Sequence, residues 1–219
     1  WLQSNCNGNI SASPYSGNIS AGINKPATQP KRWYDYDFAV QVTGRVQSDI
    51  PISFAPYMKT FTGYFNQLYA HFRLYIIDVT AGINPITYES IDPQLSSGSM
   101  IFSGNSQPLP RITIGIEDYI PFPGLYGYME LKGGITHAWM PDNVYIQGCR
   151  LHHKFVGFRF GGKLPVNISY EFHHAAEWGG ISPVYGDVGS DLKSFINVFT
   201  AQAGGTMVND QTNAQGNHV

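Results

Sequence analysis

The sequence predicts an all-β protein, a large antiparallel β-barrel that crosses a membrane with its strands. Three observations carry that expectation. First, residues 166–180 alternate: Val166, Ile168, Tyr170 and Phe172 against Asn167, Ser169, Glu171 and His173. Successive side chains of a strand point to opposite faces, so one face is apolar and the other polar and charged. The alternation continues more weakly through His174, Ala176 and Trp178. Second, the run is long. A soluble strand is usually about 5–6 residues, whereas one that crosses an outer membrane needs about 9–11. Third, charged residues make up 13% of the 219 positions, about half the usual share of about 25%. Aromatic residues make up 14%, and Gly (24) and Pro (14) are frequent, which fits a strand-rich chain with many turns.

The same composition excludes other classes. The formal net charge is −2 and the pI about 6.4, which is not the basic face that a nucleic-acid partner requires. No run of 18 apolar residues exists, so no transmembrane helix is expected. Barrel strands alternate and average near neutral hydropathy, so the mean hydropathy of −0.18 says nothing against a barrel. No basic segment followed by an apolar one marks a signal peptide. The chain begins at Trp1, and we expect a processed or truncated chain. Cys6 and Cys149 allow either a disulfide, in an oxidising compartment, or two free thiols. Sequons at Asn9, Asn18 and Asn167 are short enough to arise by chance, and Asn167 sits in a strand, which argues against a glycan there.

Element by element, residues 9–13 recur as 18–22 with Pro14, Ser16 and Gly17 between them, a pattern that predicts an early hairpin. Residues 34–44 alternate Tyr34, Tyr36, Phe38, Val40 and Val42 against Asp35, Asp37, Ala39, Gln41 and Thr43. Residues 67–80 read as another strand, with Leu68, Ala70, Phe72, Leu74 and Ile76 on one face. Ile112, Ile114 and Ile116 define the next. Leu125, Met129, Leu131, Ile135 and Trp139 share a parity across 125–140, with Gly133 and Gly134 marking a bulge or kink. Val156, Phe158 and Phe160 form the apolar side of 152–161, with Lys154 an exception. Leu192, Phe195, Ile196 and Phe199 switch to helical spacing. They predict a helix over 191–203, capped by Ser190 or Asp191 and ended by Gly204–Gly205, in a loop or folded into the barrel mouth. The Pro- and Gly-rich stretches 83–99, 104–110 and 119–124 read as connections within a single domain, 1–219.

Few constellations could carry chemistry. His152–His153 and His173–His174 are adjacent pairs, and neighbours in a strand point apart, so neither pair holds one metal. Glu171 and His173 share a face about 7 Å apart, and with His153 or Arg159 from a neighbouring strand they form either a satisfied polar network or, less simply, a metal site. Glu171 and Glu177 share that face too, but six residues place them roughly 20 Å apart. Glycosidase carboxylates sit about 5–9.5 Å apart, so a straight strand excludes that dyad. No nucleophile elbow, dinucleotide-binding or phosphate-loop motif is present, and Cys149 is a weak signal for a catalytic thiol. Trp139, Trp178 and the tyrosines have two readings, an aromatic girdle at a membrane interface or rings on which sugars stack.

Three segments then resemble those of a known family. They are Leu151-His152-His153-Lys154, Arg159 through Ser169 (Arg-Phe-Gly-Gly-Lys-Leu-Pro-Val-Asn-Ile-Ser) and Ala176-Glu177-Trp178-Gly179-Gly180. With Phe102-Ser103-Gly104-Asn105, the Ile112-Thr113-Ile114-Gly115-Ile116 run and Asn209-Asp210-Gln211, their order resembles the Wzi-type capsule assembly proteins of the Bacteroidetes kind. The resemblance spans nearly the whole chain. It implies a bacterial outer-membrane barrel that binds or organises capsular or other surface polysaccharide without catalysis. It also implies outer-membrane lipid or lipopolysaccharide, and other outer-membrane proteins, as partners. It implies no cofactor, metal or catalytic residue. The candidate polysaccharide contacts are Arg159, Glu171, His173, Glu177 and Trp178. Family members continue beyond the point where this chain stops at Val219, so we expect an incomplete portion of a larger barrel or a short homologue. A transport channel and a soluble β-sandwich that binds or acts on carbohydrate are the competing expectations.

Overall fold

A computed structural model describes residues 15–28, 33–48, 60–85, 107–162 and 164–202. Eight strands form one sheet whose hydrogen-bonding order follows the chain. They are β1 (Tyr15–Lys25), β2 (Tyr34–Ser48), β3 (Thr60–Leu74), β4 (Ile77–Ile83), β5 (Pro110–Pro121), β6 (Met129–Trp139), β7 (Arg150–Phe160) and β8 (Ile168–Trp178). A two-stranded hairpin, β9 (Ile181–Ser182) and β10 (Gly186–Asp187), and one helix, α1 (Leu192–Phe199), follow. The all-β class is as expected. Among the described residues the order ends at β1 and β8 and does not close into a barrel. No described helix is long and apolar enough to cross a membrane.

Two expected elements differ. Residues 16–17 lie inside β1 rather than in a hairpin turn, and the partner of β1 is β2; the earlier repeat, 9–13, lies outside the described residues. Residues 67–80, expected as one strand, fold back at Tyr75–Ile76 between β3 and β4. Tyr75 takes the left-handed backbone, φ 54, and its N–H donates to the Trp33 carbonyl at 2.5 Å.

By contacts the chain divides into two compact units: 1–26, 37–70 and 82–109 in the first; 27–36, 71–81 and 110–219 in the second. The first carries the β1–β2 pairing, in unbroken antiparallel register from Tyr15↔Ser48 to Lys25↔Phe38. Thr43 and Arg45 are buried while Ile19, Ile23, Phe38 and Val42 are exposed. Ser20 and Thr43 hydroxyls meet at 2.8 Å, and Asn66 donates to Gln41 at 2.8 Å, so polar side chains fill the covered face.

The second unit repeats that inversion across the antiparallel meander β5–β8. Register places Ile112, Ile114 and Ile116, then Leu131 and Ile135, then Val156 and Phe158, then Ile168, Tyr170 and Phe172 on one face. Ile168 is 66% exposed and Phe172 54%. The opposite face carries Thr136, Lys132, His153, Arg159, Glu171 and His173; Lys132 is 6% exposed and His153 2%. Buried polar residues outnumber buried apolar ones among the described residues, the reverse of the usual sorting.

Two local devices shape this sheet. The expected irregularity at Gly133–Gly134 falls instead on the partner strand. Register shifts between Ile116 and Ile120 of β5 while β6 stays regular against β7. A bulge re-aims side chains, and this one turns Tyr119 toward the polar face. Helix α1 is shorter than expected. Asp191 is its cap, accepting from the Ser194 N–H at 2.9 Å, and Thr200 closes it by donating to the Ile196 carbonyl at 2.8 Å. The expected Gly204–Gly205 stop lies outside the described residues. Helix α1 lies on the apolar face of β6–β8, with Phe195 against His137, His152 and Trp178.

Candidate functional site

The polar face of β5–β8 gathers its charges around Glu171. Lys132 on β6 and Glu171 on β8 both register with Gly157 of β7. A side chain at Gly157 would meet the Lys132 stem at 3.0 Å and the Tyr119 hydroxyl at 3.1 Å. Its absence lets Lys132 reach across a whole strand to Glu171 Oε1, 2.6 Å away. Tyr119 donates to the same oxygen at 3.1 Å, and its ring receives Lys132 Nζ at 4.7 Å and the Arg159 guanidinium at 4.4 Å from the centroid. Arg159 is also paired with Glu130, its cross-strand neighbour.

Two histidines extend the network. His173 Nε2 lies 3.3 Å from Glu171 Oε2, and His173 Nδ1 lies 3.1 Å from His153 Nε2. Neutral tautomers satisfy both contacts if His153 Nε2–H donates to His173 Nδ1 and His173 Nε2–H donates to Glu171. The two rings stack at 5.3 Å and 5°, with Phe155 stacked on both. Lone buried charges are costly; here each charge has a hydrogen-bonded partner.

Where the turns 122–128 and 161–167 meet, the polar face opens into a depression of about 400 Å³ lined by Gly127, Glu130, Arg159, Gly162 and Asn167. A Cβ on Gly162 would fall 2.0 Å from the Gly127 carbonyl, so only glycine permits these turns to approach.

No protein-family model, curated protein or solved structure matches this chain.

Of the five sequence-derived candidates, three come together. Arg159, Glu171 and His173 belong to one network, joined through Tyr119. Glu177 is on the same face but opposite Leu151, roughly 20 Å along the strand from Glu171. Trp178 is on the other face, buried beside Phe195 and with the Arg150 guanidinium 4.9 Å from its ring. Sequence reasoning missed Lys132, Tyr119 and Glu130. The available signal was Gly157, since an isolated glycine inside a strand marks close approach by a neighbour.

A second knot lies in the same unit. Asp78 receives Arg73 Nε at 2.6 Å, His71 Nε2 at 2.9 Å and the Glu117 N–H at 3.3 Å, and Arg73 also holds Asp118 at 2.8 Å. His71, Asp78 and Glu117 place one ligand atom each within 4.8 Å of the others. The oxygens of Asp78 are already engaged, so this is an ion-pair knot. Cys149 is a buried free thiol just before β7. Burial, then the nearby Glu177 charge, pushes it up to about 11, where the nucleophilic thiolate is scarce at neutral pH. Cys6 lies outside the described residues.

Proposed function

We propose that this protein is a non-enzymatic outer-membrane β-barrel, or a portion of one, that binds surface polysaccharide at the turn end of its polar face. The observation that carries the reading is the inverted sorting of the strands. Tyr34, Phe38, Ile168 and Phe172 are exposed, on strands of 11 to 15 residues, while paired charges lie buried behind them. A soluble sandwich buries such apolar faces against each other. Soluble monomers rarely expose contiguous apolar surface beyond a few hundred Å², whereas a barrel wall turns that face to lipid and its polar face to the lumen.

The depression supports the ligand class. Its volume falls in the range of small-ligand sites, about 300–1,000 Å³. Its lining presents the ion-paired Arg159 and Glu130 side chains and the Asn167 amide, groups of the kind that hydrogen-bond sugar hydroxyls. The resemblance to Wzi-type proteins points to the same class of ligand.

Two measurements test the reading. The protein should require detergent and show a heat-dependent shift on a denaturing gel; monodispersity without detergent overturns the membrane assignment. Titration with purified capsular polysaccharide should give saturable binding that Arg159→Ala weakens at least tenfold. Unchanged binding removes the depression as the site, and ion conductance without saturable binding replaces a binding barrel with a channel.

A further inference from the structure

The cations of the second unit are treated differently on its two faces. On the polar face Arg73, Lys132 and Arg159 each hold a carboxylate. On the apolar face Arg150 and Lys154 hold none among the described residues. The Arg150 guanidinium carbon lies 4.9 Å from the centroid of the Trp178 ring. Lys154 donates once, to the Phe199 carbonyl at 2.5 Å, and an ammonium has three donors.

Register assembles these groups into rows. Trp139, Arg150 and Trp178 form one; His137, His152 and Ala176 the next; Ile135, Lys154 and His174 the third. The apolar face of β5–β8 carries no carboxylate in any row. Beneath helix α1, buried nitrogens of His137, His152 and the Trp178 indole have no hydrogen-bond partner among the described residues; His152 is 1% exposed. Beyond the third row the face is hydrocarbon and aromatic: Val156, Phe158 and Phe160 beside Phe172, Tyr170 and Ile168. Cationic and donor groups therefore border a long apolar wall.

We infer that this band docks a membrane lipid with two phosphates, one held by Arg150 and the other by Lys154, about 13 Å further along β7, and its acyl chains lying along the Val156–Phe160 and Ile168–Phe172 wall. The inference rests on the membrane reading above and adds a headgroup site to it. Unpaired guanidinium and ammonium groups complement a phosphate, and arginine does so with two parallel hydrogen bonds. The amphiphile fits as a whole because charge and apolar surface run in one line along the strands.

The test uses the full chain in zwitterionic detergent, titrated with diphosphorylated lipid A, its dephosphorylated form and inorganic phosphate. Diphosphorylated lipid A should bind at least tenfold more tightly than the dephosphorylated form, and Arg150→Gln with Lys154→Gln should abolish the difference. Inorganic phosphate should compete only weakly, because it lacks the chains. Equal binding of the two lipids, undiminished binding by the double variant, or full competition by inorganic phosphate each overturns the inference. The comparison between lipids needs no variant, so it stands even where loss of Lys154 loosens helix α1. The heat-dependent gel shift on the same preparation separates the two failures. A shift without phosphate preference removes the lipid site alone, whereas no detergent requirement removes the membrane reading as well.

Discussion

Gly157 shows how one missing side chain organises the polar face. Lys132 and Glu171 belong to strands that do not touch, and the gap over Gly157 is the channel through which they meet. Lys132→Met should destabilise the fold by about 3–5 kcal/mol, the cost of leaving a buried carboxylate without its partner; thermal unfolding in detergent reads this directly. Adding Glu171→Gln to that variant should recover much of the loss, because the uncompensated charge is then gone. Asp191 gives a pH-dependent counterpart. Hydrogen bonds from the Ser194 side chain and N–H hold its carboxyl below the ordinary value of 3.8. A lowered folded value means that the cap's contribution is present above 3.8 and is lost as pH falls through the folded value. Protection of the amides in residues 192–199, taken relative to their intrinsic exchange at each pH, should therefore stay constant from neutral pH to about 4 and fall below it, and Asp191→Ala should remove that step. The partners of Glu171 were not legible in the sequence. Parity named its face, but only register says that Lys132, two strands away, is opposite.

Among elements, the strands were the most legible and the turns the least. The alternation in 34–44, 152–161 and 166–180 became β2, β7 and β8 with small changes at the ends, because a two-residue period leaves no other way to separate the faces. The Tyr75–Ile76 turn escaped because Leu74-Tyr75-Ile76-Ile77 contains no Gly, Pro, Asn or Asp, the residues that ordinarily supply a positive φ or a fixed bend. Tyr75 takes the left-handed conformation itself. Helix α1 was legible from its spacing, but its seat was not, since amphipathicity states which side is apolar and not what it covers. At the turns that frame the depression, Gly162→Ala should be the sharpest single change. Its Cβ meets the Gly127 carbonyl at 2.0 Å and its backbone stands at φ 53. Polysaccharide affinity should fall at least tenfold while the heat-dependent gel shift persists; intact affinity would show that the two turns do not frame the site.

At the scale of the molecule, the inside-out sheet makes one substitution decisive. Phe172 is half exposed, and in water a change at such a position usually alters stability by no more than about 0.5 kcal/mol. Against lipid, an arginine at mid-depth costs about 2–4 kcal/mol. Phe172→Arg should therefore block insertion into lipid vesicles, measured as protease protection of the strands, while Ser169→Arg on the opposite face should insert. Equal insertion would dismiss the lipid-facing assignment.

The strand order also bears on how the sheet is made. Every strand pairs with its chain neighbour, so each pairing closes only the local connection, and assembly can proceed as a zipper from any hairpin outward. Closing a loop costs more as it lengthens, by about 0.6 kcal/mol per doubling. The neighbouring strands furthest apart in sequence, β4 ending at Ile83 and β5 starting at Pro110, are thus the pair that costs the most entropy to bring together.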